Sequence, residues 1–136
     1  MVCGCTIPSS DSALNKTSVS LPDPKTGVYN WADAINNKDL PRLYDLEPDF
    51  IRQNVSFDQF AGVNVGNSFI SPNSTLTSVE ILNETSNATT ANLIVVVYWQ
   101  GPISTNSTKM QTLPIYFKVE EFYEDNEWKV WMEPWQ

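Results

Sequence analysis

The chain is short of the side chains that most often do chemistry. Its 136 residues include no histidine, which removes imidazole as metal ligand, proton shuttle or triad base. Carboxylates and phenols remain. Asp33, Asp45 and Asp49 fall in helical stretches alongside Trp31 and Tyr44. A carboxylate held in an apolar pocket near a hydrogen-bond donor can transfer a proton, so Trp31, Tyr44, Asp45 and Asp49 are the pocket candidates. No spacing singles out one aspartate, and solvated capping carboxylates are the alternative. No catalytic residue is assigned.

Two further groups could act. Glu120, Glu121, Glu124, Asp125 and Glu127 crowd the last hairpin. A hard cation suits such oxygens, but the stretch lacks the glycine and alternation of a calcium loop. A charged hairpin tip that resists aggregation is the preferred reading. No metal site and no cofactor are expected. Tyr98, Tyr116, Trp131 and Glu133 share the other face of the same strands with Glu80, Lys118 and Lys129. Aromatics among charges suit a protein interface, most simply a homodimer, or stacking on sugar rings. An ordinary half-exposed sheet is the plain alternative. A net charge of −8 disfavours nucleic acid.

These residues need a scaffold, and its centre is Asn92–Gln100. Leu93 to Trp99 is an unbroken apolar or aromatic run closed by Gly101-Pro102, which predicts a strand covered on both faces. Leu76–Asn83, Gln111–Tyr123 and Glu127–Pro134 are its expected partners. Pro114 marks an edge position or bulge, and Asp125-Asn126 a tight hairpin. Val79, Ile81, Val95, Val97, Trp99, Leu113, Ile115, Phe117, Val119, Trp128, Val130 and Met132 should form the apolar face.

Upstream the period is helical. Val28, Trp31 and Ile35 are spaced for one helix face, stopped by Asn36-Asn37. Asp39 caps a second short helix that tolerates Pro41 and ends at Glu47-Pro48. Phe50 and Ile51 suggest a further turn. Ser56-Phe57-Asp58-Gln59 is a capping box with Val55 and Phe60 as its staple. Helices followed by an antiparallel meander predict an α+β domain, with short N-terminal helices packed on a curved four-stranded sheet.

Ala34–Leu40 (Ala-Ile-Asn-Asn-Lys-Asp-Leu) after a helix, and a meander ending in Glu127–Trp131 (Glu-Trp-Lys-Val-Trp), resemble the nuclear transport factor 2-like superfamily from about Thr26 to Trp135. The resemblance implies a cone, in which a curved sheet wraps helices around a pocket and the outer sheet face often dimerises. Its enzymes place Asp or His in the cone with a Tyr or Asp donor. That implies a metal-independent isomerase or lyase as the alternative to a non-enzymatic binding domain.

The N-terminus suggests an address. Val2-Cys3-Gly4-Cys5 resembles the end of a prokaryotic lipoprotein signal, with Cys5 as the lipid anchor. Free thiols, a Cys3–Cys5 bridge or half a metal site are the competing readings. Residues 6–25, rich in Ser, Thr, Pro and Asp, read as a disordered tether to one domain spanning 26–136. No apolar run reaches the length of a membrane span, so any membrane is met through the lipid. Asn15, Asn54, Asn73, Asn83, Asn87 and Asn106 fit the N-glycosylation pattern, where about two matches would arise by chance. Together these predict an extracellular, lipid-anchored surface protein, a combination found in archaea. The ligand stays open.

Overall fold

The computed structural model describes residues 21–64, 68–104 and 106–134. Cys3, Cys5 and Asn15 lie outside them. Helix α1, Lys25–Asn36, buries Val28, Ala32 and Ile35 on one face, at the spacing read from the sequence. Its start is tied down: Lys25 N–H donates to Asp23 Oδ1 at 2.9 Å, and Trp128 Nε1 donates to the Pro22 carbonyl at 2.7 Å. The docked chain therefore reaches back to Pro22. After α1, Lys38 adopts φ 55° and turns the chain into α2, Leu40–Asp45, which Asp39 caps by accepting from Arg42 N–H at 3.1 Å.

Pro48 starts the single turn of α3, Asp49–Arg52. Helix α4, Phe57–Asn64, begins at the expected capping box. Ser56 N–H donates to Gln59 Oε1 at 2.9 Å and Gln59 N–H to Ser56 Oγ at 3.2 Å. A 3-10 turn, Ser68–Ile70, leads to the sheet. No helix among the described residues is long and apolar enough to cross a membrane.

Strands β1 (Thr75–Ser86), β2 (Thr90–Pro102), β3 (Met110–Glu124) and β4 (Glu127–Pro134) form one antiparallel sheet in the order β1-β2-β3-β4. Asp125 and Asn126 take φ 54° and 65°, the left-handed pair that a two-residue hairpin requires. Strand β4 pairs with β3 only from Phe117 onward. Pro114 therefore sits where β3 has a free side, and its missing N–H costs no ladder bond. Register shifts between Leu76 and Ser78 and between Ile81 and Asn83 bend β1.

The inner face packs Leu93, Val95, Val97, Phe117, Val119, Trp128 and Val130 against Val28, Ala32, Ile35, Leu43 and Leu46. Two expectations fail. Leu113, assigned to that apolar face, is 42% exposed, because the β2–β3 arm runs on past the end of β4. Lys129, assigned to the outer charged face, is 2% exposed. Its Nζ donates to the Asp45 carbonyl at 2.6 Å and to Glu127 at 3.2 Å. The α2–α3 segment closes over the β4 edge there, and Val130 N–H donates to the Leu46 carbonyl at 2.7 Å.

Candidate functional site: an apolar cleft around Glu47

Between the helices and the inner sheet face the cone stays open. Trp31, Ile35, Leu43, Phe60, Phe69, Phe117 and Met132 line a hollow of about 320 Å³, with Glu47 and Asn64 as its polar groups. A second hollow of about 310 Å³ adjoins it and shares Trp31, Glu47, Phe60, Asn64 and Met132. The floor is aromatic. Trp31 meets Phe69 and Phe117 edge-on, each at 6.0 Å between ring centroids, an arrangement that aromatic quadrupoles favour.

Glu47 is the chemical centre. The turn between α2 and α3 delivers it, because Leu46 on one side and Pro48 on the other are both buried and Arg52 Nε holds the Glu47 carbonyl at 2.9 Å. Its carboxyl has no pairing residue among those described, and burial pushes its pKa up to about 7. Near neutrality it can donate a proton or accept one. Sequence reasoning treated Glu47 only as part of a helix-ending Glu-Pro pair. The signal it passed over was an acid wedged between a leucine and a proline that both face inward.

Of the pocket candidates, only Trp31 lines the cleft. Tyr44 spends its hydroxyl on backbone, donating to the Val55 carbonyl at 2.6 Å and lying 3.3 Å from that of Arg52. Asp45 has a side chain 65% exposed, 3.8 Å from Arg42. Asp49 pairs with Arg52, while its N–H donates to Glu124 at 2.9 Å. Tyr44 and these aspartates do not come together as a pair.

The acidic hairpin is also dispersed. Glu127 binds the Arg42 guanidinium through both oxygens, at 2.8 and 3.1 Å, which holds its pKa below the usual range. Glu121 turns inward and is fully buried between β3 and α1. Neither carboxyl oxygen finds a hydrogen-bond partner among the described residues. Burial first, then the charges of Glu84 and Asp23, raise its pKa to about 8. Gly27 makes room for it: a Cβ there would lie 2.8 Å from Glu121 Oε2 and 3.0 Å from Trp128 Cβ. No cluster of metal-binding side chains occurs among the described residues.

The outer face does not carry one flat aromatic strip. Trp131 packs edge-on against Phe50 at 5.8 Å, and Phe50 meets Phe122 at 5.5 Å. Tyr98 leans to Glu80, 3.4 Å away, and Tyr116 is 44% exposed. Lys118 separates Tyr116 from the Glu120–Trp131 rung, and Glu133 pairs in register with Lys118. A shallow groove of about 190 Å³ crosses this face beside Asn83. Asn54, Asn73, Asn83, Asn87 and Asn106 are all exposed.

No family model matches the chain, and no curated protein matches it significantly. Solved structures do. The intermembrane-space region of the chloroplast protein ARC6 superposes with a TM-score of 0.55 at 12% identity, over 84% of this chain and 98% of that one. A proposed dehydratase of the NTF2-like family from Streptomyces avermitilis gives 0.54 at 11%, over 82% and 94%. The fold is nuclear transport factor 2-like. A SEC-C motif protein from Rhodopseudomonas palustris is also similar, with a TM-score of 0.51 at 10% identity over 76% and 72%. At these identities the likeness concerns the NTF2-like backbone, and the chemistry has to come from this chain's own residues.

Proposed function

We propose that this NTF2-like domain binds a small, largely apolar ligand in its cone, with Glu47 as the polar anchor, and displays it at a cell surface. One observation carries the reading: a carboxyl with no partner among the described residues stands in a cleft otherwise walled by Trp31, Phe60, Phe69, Phe117 and Met132. Apolar walls supply affinity through burial and one placed polar group supplies orientation. A protonated Glu47 donates to a ligand oxygen, and an ionised one accepts from an amine. The surface location rests on the lipoprotein-like Cys5 and on acceptor asparagines that are exposed wherever the structure describes them.

A second reading has Glu47 as the acid–base residue of an isomerase or lyase, favoured by a pKa that burial raises to about 7. Binding comes first because two polar groups near the cleft are engaged with backbone. The Tyr44 hydroxyl is committed to backbone, and Asn64 Nδ2 donates to the Phe60 carbonyl at 2.9 Å. The test is a screen of small apolar amines and ketones, read by the Trp31 indole and Met132 methyl NMR signals. Saturable shifts confined to the cleft, weakened at least tenfold by Glu47→Gln, are the expected result. Ligands that shift neither signal would overturn the proposal, and turnover of a bound ketone would move the assignment to the enzyme.

A further inference from the structure

The groove on the outer sheet face takes its meaning from the residue at its rim. Asn83-Glu84-Thr85 is an acceptor sequence lying inside β1. Alternation along a strand sends Asn83 and Thr85 to one face and Glu84 to the other. The contacts agree: Glu84 meets Lys25 of α1 at 2.9 Å, while Asn83 and Thr85 line the outer groove. Two cross-strand rungs form it, Asn83–Ile94–Lys118 and Thr85–Asn92–Glu120. The register shift just before Asn83 places this acceptor at a bulge, a feature that re-aims side chains.

We propose that this groove seats the first sugar of a glycan carried by Asn83. The inference rests on the cell-surface reading given above. Attachment forms a bond between Asn83 Nδ2 and the anomeric carbon of the sugar. It breaks that carbon's bond to the diphosphate of a lipid-linked donor and releases one amide proton. The groove, about 190 Å³, has the scale of a single sugar ring. Half-buried Ile94 offers an apolar floor for the C–H face of the ring. Lys118 supplies donors, Glu120 acceptors and Asn92 both, at the level of the hydroxyls. A sugar held there also closes this face to a second copy of the chain.

The full-length protein is secreted from a host that N-glycosylates, its sites are mapped by peptide mass spectrometry, and isotope-filtered NOEs are recorded from sugar protons. The expected result is a modified Asn83 whose first sugar shows NOEs to the Ile94 methyls and the Lys118 methylenes. Lys118→Ala should speed native-state glycan release at Asn83 severalfold and leave Asn106 unchanged. A modified Asn83 without those NOEs overturns the seat and leaves the surface reading intact. An unmodified Asn83 beside a modified Asn106 does the same. If every acceptor is bare, the proposed seat and its glycosylation basis both fall.

Discussion

Two carboxyls, Glu47 and Glu121, are lifted by the same force and end in opposite situations. Burial raises Glu47 to about 7 and Glu121 to about 8. Glu47 stands on the wall of a cleft that a ligand can enter. Glu121 is sealed beneath Gly27 and Trp128, with both oxygens unpaired among the described residues. Desolvation alone therefore does not make a functional site. Access decides whether a raised pKa serves binding or only makes stability depend on pH.

The largest test of that contrast is Glu121→Gln. Because the folded pKa of Glu121 lies above the carboxyl's ordinary value of 4.5, folding holds its proton. The resulting stability is fully present below that value and is lost as pH rises through about 8. The slope approaches about 1.4 kcal/mol per pH unit within this window. Urea unfolding of the native protein between pH 5 and 9 should show that decline, and the glutamine variant should flatten it. A parallel decline in both proteins would remove Glu121 as its source.

Gly27→Ala comes next. Its Cβ would collide with the Glu121 carboxyl and the Trp128 Cβ, so overpacking should cost about 1–3 kcal/mol despite alanine's better helix propensity. The loss should shrink in a Glu121→Ala background, and equal losses in both would deny the contact.

Glu47→Gln should have a smaller effect on stability, since Glu47 is only partly buried. The native fold should lose stability as pH rises from 4.5 through about 7, over a narrower window than Glu121 gives, and the variant should not. Ligand affinity should change with a midpoint near 7 only when Glu47 is present. Smallest of all, Tyr44→Phe should cost about 1 kcal/mol, the worth of its bond to the Val55 carbonyl. It should leave ligand binding within twofold, because Tyr44 does not face the cleft. A large affinity loss in that variant would reinstate Tyr44 as part of the site.

Much of the scaffold was legible in the residues. The run Leu93–Trp99 is the central strand, the Ser56–Gln59 box caps its helix from both sides, and Asp125-Asn126 makes the hairpin. Each is a local signal, decided by neighbours within a few positions. The site was mostly illegible. Asp45 and Asp49 stood out as candidates and Glu47 did not, although all three follow helix-ending or capping logic and differ only in what packs over them. Lys129 and Glu121 alternate correctly along their strands, yet both are buried. The reasons are an α2–α3 segment that folds over the β4 edge and a glycine in α1 that leaves space.

By itself, the sequence determined the order and type of the elements, most of the apolar face of the sheet and the exposed placement of those acceptor asparagines that the structure describes. Periodicity and turn chemistry act along the chain, so they can be read along the chain. Only the tertiary structure decided that the cone stays open, that Glu47 stands in it and that Glu121 is locked away. Burial of a charge depends on elements more than 70 residues apart, such as Gly27 and Glu121, and no local pattern records that meeting.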